Sequence, residues 1–423
     1  MFRNYRRSLK VNLQHRFPLH WHYHEFSERP LSDSCWSVQT GPDGRVYAAS
    51  CTEHTGGETA TVVRYDENRD CLEYLFDLDE ATGDLRDSGR ATQCKIHYSL
   101  VPDPEKGLLH AATHMSGPPK GETKYNPWAS WNDPQRAFRG AYLISYDTGG
   151  DVVTESKLMI PKEGCRCLAF DPERRILYAV TYPRDHFVAY DLKRSKLIDY
   201  GRIGSVNTQC IFLDKRGRAY LFNDAGRLLR FDPERQRLEQ LDHIFPHAAY
   251  QTAWHGILYD AVQDPRENAF YMVPWKTHPH LARFRPDEGP NGRLEDLGPI
   301  TQDRDPREVM SVNLDHVGGL IWGADQKLYL VRAEWPGDIS NHRSSDATTG
   351  AFVRWDPATG EWESLGAFHS PVGANHYISR GALSARGNMI FGKILASPAG
   401  IYQAKVADHP SEVKPADYLR FWG

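Results

Sequence analysis

Two or three strand-forming residues, an aromatic, usually an Asp, a short polar turn and a second apolar run recur six times along the chain. The copies read VVRYDENRD (62–70), LISYDTGGD (143–151), FVAYDLKRS (187–195), LLRFDPERQ (228–236), LARFRPDEG (281–289) and FVRWDPATG (352–360), and a weaker seventh, GIYQAKV, starts at Gly400. Alternation at period two, broken by Asp, Gly and Pro, is hairpin chemistry. The aromatics Tyr65, Tyr146, Tyr190, Phe231, Phe284 and Trp355 stand 81, 44, 41, 53 and 71 residues apart. The shortest gaps match one four-stranded blade.

Each of these hairpins follows another whose turn reads PDGR, PDPEKG, DPER or DKRG. CWSVQT (35–40) thus pairs with VYAASC (46–51), IHYSLV (96–101) with LLHAATH (108–114), and CRCLAF (165–170) with ILYAVTY (176–182). TQCIFL (208–213) pairs with AYLFN (219–223), WHGILYDAV (254–262) with NAFYMVPW (268–275), and ISRGALS (378–384) with MIFGKI (389–394). LIWGADQKLYLVR (320–332) supplies a turn and a second strand for the sixth unit. The pattern predicts an all-β, seven-bladed β-propeller of four-stranded antiparallel blades, one domain over residues 1–423. The missing outer strand of the last blade is expected from the N-terminal segment around SLKVNL (8–13), which would close the open edge. Two insertions, 116–139 and 333–351, lengthen B–C loops on the face expected to hold the active site.

Composition adds limits. The chain has 423 residues and a net charge of −4, with no basic field for nucleic acid and no apolar run long enough to span a membrane. The expected state is a monomer or small homo-oligomer. The basic N-terminus lacks an apolar core, so as written the chain reads as cytoplasmic, or as secreted or periplasmic if a leader has been trimmed. Seven Cys match no zinc spacing, and Cys35, Cys94, Cys165, Cys167 and Cys210 fall near the starts of innermost strands, where small apolar side chains pack.

The strand ends at the loop-bearing face collect His97, His114, Arg166, Tyr182, Arg184, Gln209, Asn223, His255, Trp275 and Arg380, with few carboxylates. Glycoside hydrolysis needs two carboxyl groups flanking the bond, and only Asp185 and Asp224 lie close. Elimination from a uronic acid needs cationic or neutral donors to hold the carboxylate and a Tyr or His to move protons. Trp128 and Trp131 in the first insertion, with Tyr125, are candidates to stack on sugar rings. His20, His22 and His24 of HWHYHEF share one face of a strand, as metal ligands would. His278 and His280 flank the Trp275 position.

The run IHYSLVPDPEKGLLHAATH, followed by ILYAVTY on the next blade, resembles the His/His/Tyr/Arg arrangement of seven-bladed propeller polysaccharide lyases, the ulvan lyases and the rhamnosyl-glucuronate lyases acting on gum arabic. The resemblance implies β-elimination of a uronate-containing oligo- or polysaccharide. His97, His114 and an Arg would engage the carboxylate, and Tyr182 or a His would serve as base and acid. Arg166, Arg184 and Arg202 qualify for the Arg, with Arg184 or Arg166 preferred. Gln209, Asn223, His255, Trp275 and Arg380 would line subsites. Oligogalacturonate lyases are a second similar family, manganese-dependent through a clustered Gln-x-x-His-x-His. Here FHSPVGANHYISRG (368–381) lacks that cluster, although His255, His316, His369 and His376 could assemble a site across blades. A divalent metal (Ca, Mn or Zn) therefore stays open as a cofactor. A non-catalytic propeller that binds carbohydrate or protein is the alternative reading.

Overall fold

The computed structural model describes residues 19–415, except 54–56, 116, 123–125, 206–207, 247–257, 265, 275–278, 301–315, 335–348, 369–376 and 396. Seven four-stranded antiparallel blades result. From axis to rim, blade 1 is Ser34–Thr40, Val46–Cys51, Thr61–Asp66 and Cys71–Asp77. Blade 2 is Lys95–Asp103, Leu108–His114, Gly140–Asp147 and Val152–Pro161; blade 3 is Gly164–Asp171, Ile176–Tyr182, His186–Asp191 and Lys196–Arg202. Blade 4 is Phe212–Leu213, Ala219–Phe222, Arg227–Asp232 and Arg237–Ile244; blade 5 is Leu258–Asp264, Ala269–Pro274, His280–Arg285 and Arg293–Pro299. Blade 6 is Val317–Trp322, Leu328–Glu334, Thr349–Asp356 and Glu361–Phe368. Blade 7 takes Tyr377–Leu383, Met389–Ile394 and Gly400–Lys405, and its rim strand is His20–Glu25. Among the described residues no helix is long and apolar enough to cross a membrane.

The closing strand is HWHYHE, not the expected SLKVNL, which lies outside the described residues. His20 pairs with Lys405 and Glu25 with Gly400. Alternation explains the choice. Trp21 meets Phe368 and Tyr402 edge-on at 5.8 and 5.7 Å, and Tyr23 lies 4.8 Å from Tyr402, so one face of this strand is aromatic and packs while its histidines take the other. The second insertion narrows to 335–348, outside the described residues, because flanking strands run to Glu334 and resume at Thr349.

The recurrent Asp builds four of the outer turns. Asp66, Asp147, Asp191 and Asp232 accept backbone amides two and three residues on. The fourth residue after each, Asp70, Asp151, Ser195 and Gln236, is left-handed (φ about 50°), the geometry that reverses a chain over four residues. The second strands repeat a buried Tyr. Tyr47, Tyr220 and Tyr329 donate their hydroxyls to Asp43, Asp214 and Asp325 of the preceding turn, so a large apolar surface is buried without an orphaned polar atom.

At the axis, six of the seven innermost strands lose register near the loop-bearing end: between Ser34 and Ser37, Ile96 and Leu100, Cys165 and Cys167, Leu258 and Asp260, Gly318 and Ile321, and Ile378 and Gly381. A bulge re-aims the residues it frees, here Trp36, His97, Tyr98, Arg166, Tyr259 and Arg380. The seventh innermost strand is shorter than the pattern predicts. Thr208 gives its amide and hydroxyl to Asp185 of the neighbouring blade (3.0 and 3.1 Å), and the ladder starts only at Phe212.

Candidate active site

Blades 2 and 3 bring four of the expected residues together. The bulge in Lys95–Asp103 frees His97, and the one in Gly164–Asp171 frees Arg166. His97 donates Nδ1–H to the Arg166 carbonyl at 2.8 Å. That bond fixes the tautomer, so the neutral ring keeps its lone pair on Nε2, which has no partner. His97 stacks on Trp36 at 4.7 Å and lies 5.6 Å from the ring of His114. His114 in turn stacks on Tyr182 at 4.9 Å. The Arg166 guanidinium sits 5.9 Å from the Tyr182 ring centre.

This cluster is buried with its polar groups unspent. His97 and His114 have no exposed surface and Arg166 is 5% exposed. Neither ring nitrogen of His114 makes a well-formed hydrogen bond, although the Met115 backbone lies near enough to favour its protonated form slightly. Arg166 has no carboxylate partner among the described residues, and its Nε is buried and unbonded. Burial, then Arg166 and Lys95, hold His97 well below the ordinary histidine range; burial, then Lys95 and Arg166, do the same to His114. Both are neutral imidazoles at pH 7. Burial also pulls Arg166 below the usual arginine value. Tyr182 alone of the four is partly exposed, with Ala91, Met115 and Phe138 behind it.

Lys95 belongs to the cluster and was not among the expected residues. Its ammonium pairs with Glu53 and lies 4.4 Å over the Trp36 ring. Burial and the nearby Arg166 press it below the ordinary lysine range. The signal was present: Lys95 and His97 stand two apart on one strand.

The remaining expected residues have other company. Arg184 gives Nε to Glu163 Oε1 at 2.7 Å, with a second contact from its terminal nitrogen, and lies 5.4 Å from the Trp131 ring. It fastens the first insertion to blade 3, which leaves Arg166 as the guanidinium beside Tyr182. Arg202 spends its Nε on the Gly204 carbonyl. Arg380 is fully buried, bonded to Asp260 at 2.7 Å and to Cys210 Sγ at 3.4 Å, with its guanidinium 4.0 Å from the Tyr98 ring centre. Asn223 accepts the amides of Ala225 and Arg227 in its own turn. Gln209 is buried near the axis. Trp128, on a short helix, Pro127–Ser130, capped by the Asn126 side chain, stacks at 5.8 Å on Trp131 just past its end; Trp128 is 57% exposed. Tyr125, His255, Trp275, His278, His369 and His376 lie outside the described residues. His280 bonds Asp296, and His316 donates Nε2–H to the Ile378 carbonyl at 2.8 Å.

Asp185 and Asp224 flank backbone, not an open cleft. A Cβ at Gly204 would stand 2.7 Å from Asp185 Oδ2 and 3.1 Å from Asp224 Oδ1. Burial pushes the Asp185 carboxyl up to about 6, against the Thr208 amide and hydroxyl that favour the anion. Asp224 is taken by the amide and hydroxyl of Ser205.

No protein-family model matches this sequence, and no curated protein does. Solved structures do. A streptogramin B lyase superposes with a TM-score of 0.55 at 11% identity, over 92% of this chain and 97% of the other. A catalytically inactive variant of virginiamycin B lyase from Staphylococcus aureus, solved with quinupristin, gives 0.54 at 9% identity over 92% and 99%. The extracellular domain of BT4673 from B. thetaiotaomicron gives 0.55 at 12% identity over 92% of this chain and 40% of the other. At such identities the likeness is one of fold: this chain is built as β-propellers are, and that fold houses lyases and extracellular domains alike.

Proposed function

We propose that the protein is a lyase that cleaves a uronic-acid-containing glycan by β-elimination at the mouth between blades 2 and 3. One observation carries the reading: a buried guanidinium, Arg166, without a carboxylate of its own among the described residues, beside a partly exposed Tyr182 and two neutral imidazoles. A buried charge left unpaired is costly, and a substrate carboxylate is the partner this one lacks. Bidentate pairing with Arg166 would withdraw charge from the uronate and acidify its C5–H.

Tyr182 is the proton-transfer group, because it alone of the four reaches the mouth. As phenolate it takes the C5 proton, and the electron pair left behind forms the C4=C5 double bond. The C4–O4 bond breaks, and the phenol returns its proton to O4. The enzyme ends as it began, and the products are an unsaturated uronate and a free hydroxyl. His114, stacked on Tyr182, and His97 behind it stay neutral, so they orient the phenol ring without competing for the carboxylate. Trp131 and Trp128, held beside this rim by Arg184, offer ring faces to neighbouring sugars.

Two of the similar structures are lyases, which supports lyase chemistry on this fold and says nothing of substrate. The second reading, a binding module, draws on the full burial of both histidines: Arg166 and Tyr182 would then hold an acidic sugar with no proton moved. The deciding experiment follows the ultraviolet absorbance of unsaturated uronate during incubation with ulvan, gum arabic, pectic oligomers and glucuronan. A rise that vanishes in Tyr182→Phe supports the lyase. Binding by calorimetry with no absorbance change supports the module, and neither response removes both.

A further inference from the structure

The closing strand carries a second constellation far from this mouth. On the rim strand of blade 7, His22 and His24 share the face opposite the packed aromatics. They meet Asp70, the left-handed residue that ends the outer turn of blade 1. His22 Nδ1 lies 2.6 Å from Asp70 Oδ2, and His24 Nε2 lies 3.2 Å from Asp70 Oδ1. All three donor atoms fall within 4.8 Å of one another.

From this geometry we infer a divalent transition-metal site of the zinc class, with His22, His24 and Asp70 as ligands. Two imidazoles and a carboxylate are an N/O donor set suited to zinc. Bonds of about 2.0–2.1 Å to a tetrahedral ion place ligand atoms roughly 3.3 Å apart. The His24 Nε2–Asp70 Oδ1 separation already matches, whereas His22 Nδ1 lies against the other oxygen, Oδ2, and must open from it to take its place around the ion. His24 Nε2 is buried, points at the carboxylate, and makes no hydrogen bond there. A ring nitrogen aimed into a donor cluster without a well-formed hydrogen bond is the geometry a metal ligand presents before the ion arrives. The Tyr65 hydroxyl donates to Asp70 Oδ1 at 2.6 Å, the outer bond that fixes a ligating carboxylate. The His24 side chain is 13% exposed, whereas His22 and Asp70 are 65% and 42% exposed and border a cleft of about 530 Å³. The fourth position is therefore open to water. The ion clasps the rim strand of blade 7 to blade 1 across the joint where the ring closes, so binding strengthens closure.

The test is titration of the metal-free full chain with Zn²⁺ alone, by calorimetry and by thermal melting. The expectation is one ion per chain and a melting temperature raised by a few degrees. Asp70→Asn keeps the turn and the bond from Tyr65; it should weaken Zn²⁺ binding by more than the roughly 10–100-fold typical of losing an outer partner. His24→Ala should do the same, and His20→Ala should change little. An unaltered melting temperature of the metal-free Asp70→Asn chain confirms that folding is intact. Zn²⁺ affinity unchanged in Asp70→Asn, or lost in His20→Ala, would mean that the histidine run chelates without the fold and overturns the site. So would the absence of one-to-one binding. Mouth activity is expected to persist in His24→Ala, which separates this site from the lyase reading.

Discussion

Arg166 and Arg380 invite comparison. Both are buried, both are freed by a bulge in an innermost strand, and both lie over a Tyr ring. Arg380 has Asp260 at 2.7 Å. Burial works against its charge, but Asp260 and Cys210 outweigh it and hold Arg380 above the usual arginine value. Arg166 has no such partner among the described residues, and burial wins. The two differ by one carboxylate. The chain spends one arginine on joining blades 4, 5 and 7 at the axis and keeps the other available. A fold has no use for an uncompensated buried cation, so the second is the one to read as functional.

That contrast can be broken. Arg380→Met strands Asp260 in the interior and should cost about 3–5 kcal/mol of stability, read by urea denaturation. Arg166→Met strands nothing and should leave stability within about 1 kcal/mol or raise it. Equal losses in the two would show that Arg166 is structural after all. In the proposed reaction, Arg166→Gln and Tyr182→Phe should each lower the rate of unsaturated-uronate formation by roughly 10²–10⁴-fold, with melting unchanged.

Smaller effects sharpen the picture. His97 and His114 are held neutral in the fold, whereas the unfolded chain protonates its histidines near 6.5. Below about pH 6.5 the unfolded state therefore binds more protons, and stability falls as the pH drops. Asp185 acts with the opposite sign. Its folded carboxyl keeps a proton up to about 6, so the stability it adds is full below about pH 4 and is lost as pH rises through 6. Denaturation at pH 7.5 and 5.5 should show a net acid loss in the native chain and a shallower one in His114→Gln. Arg184→Ala should cost about 1–3 kcal/mol, less than Arg380→Met: the arginine is 41% exposed, but the Glu163 carboxylate it leaves is only 2% exposed and keeps the Thr181 hydroxyl.

The blades were readable because their turns are made locally. Asp66 and Asp147 cap amides only two and three residues away, and that chemistry is written in consecutive letters. The closing strand was misplaced because its partner, Gly400–Lys405, stands at the other end of the chain, and nothing local ranks SLKVNL below HWHYHE except its weaker aromatic alternation. Four residues gathered at blades 2 and 3 could be anticipated from strand ends. The contrast between Arg166 and Arg184 could not, since it depends on a bulge and on Glu163, whose reach no spacing reveals. Lys95 was visible as the period-two neighbour of His97.

The order of the last blade bears on how the chain is made. Of the described strands, its rim strand is the first to leave the ribosome and its partner, Gly400–Lys405, the last. For most of synthesis HWHYHE has nothing to pair with, and six blades can assemble before the ring has any means of shutting. A chain cut short before residue 400 keeps its first strand as an unpaired edge and its last blade unfinished, so truncation from the C-terminus should yield aggregation instead of a smaller soluble propeller.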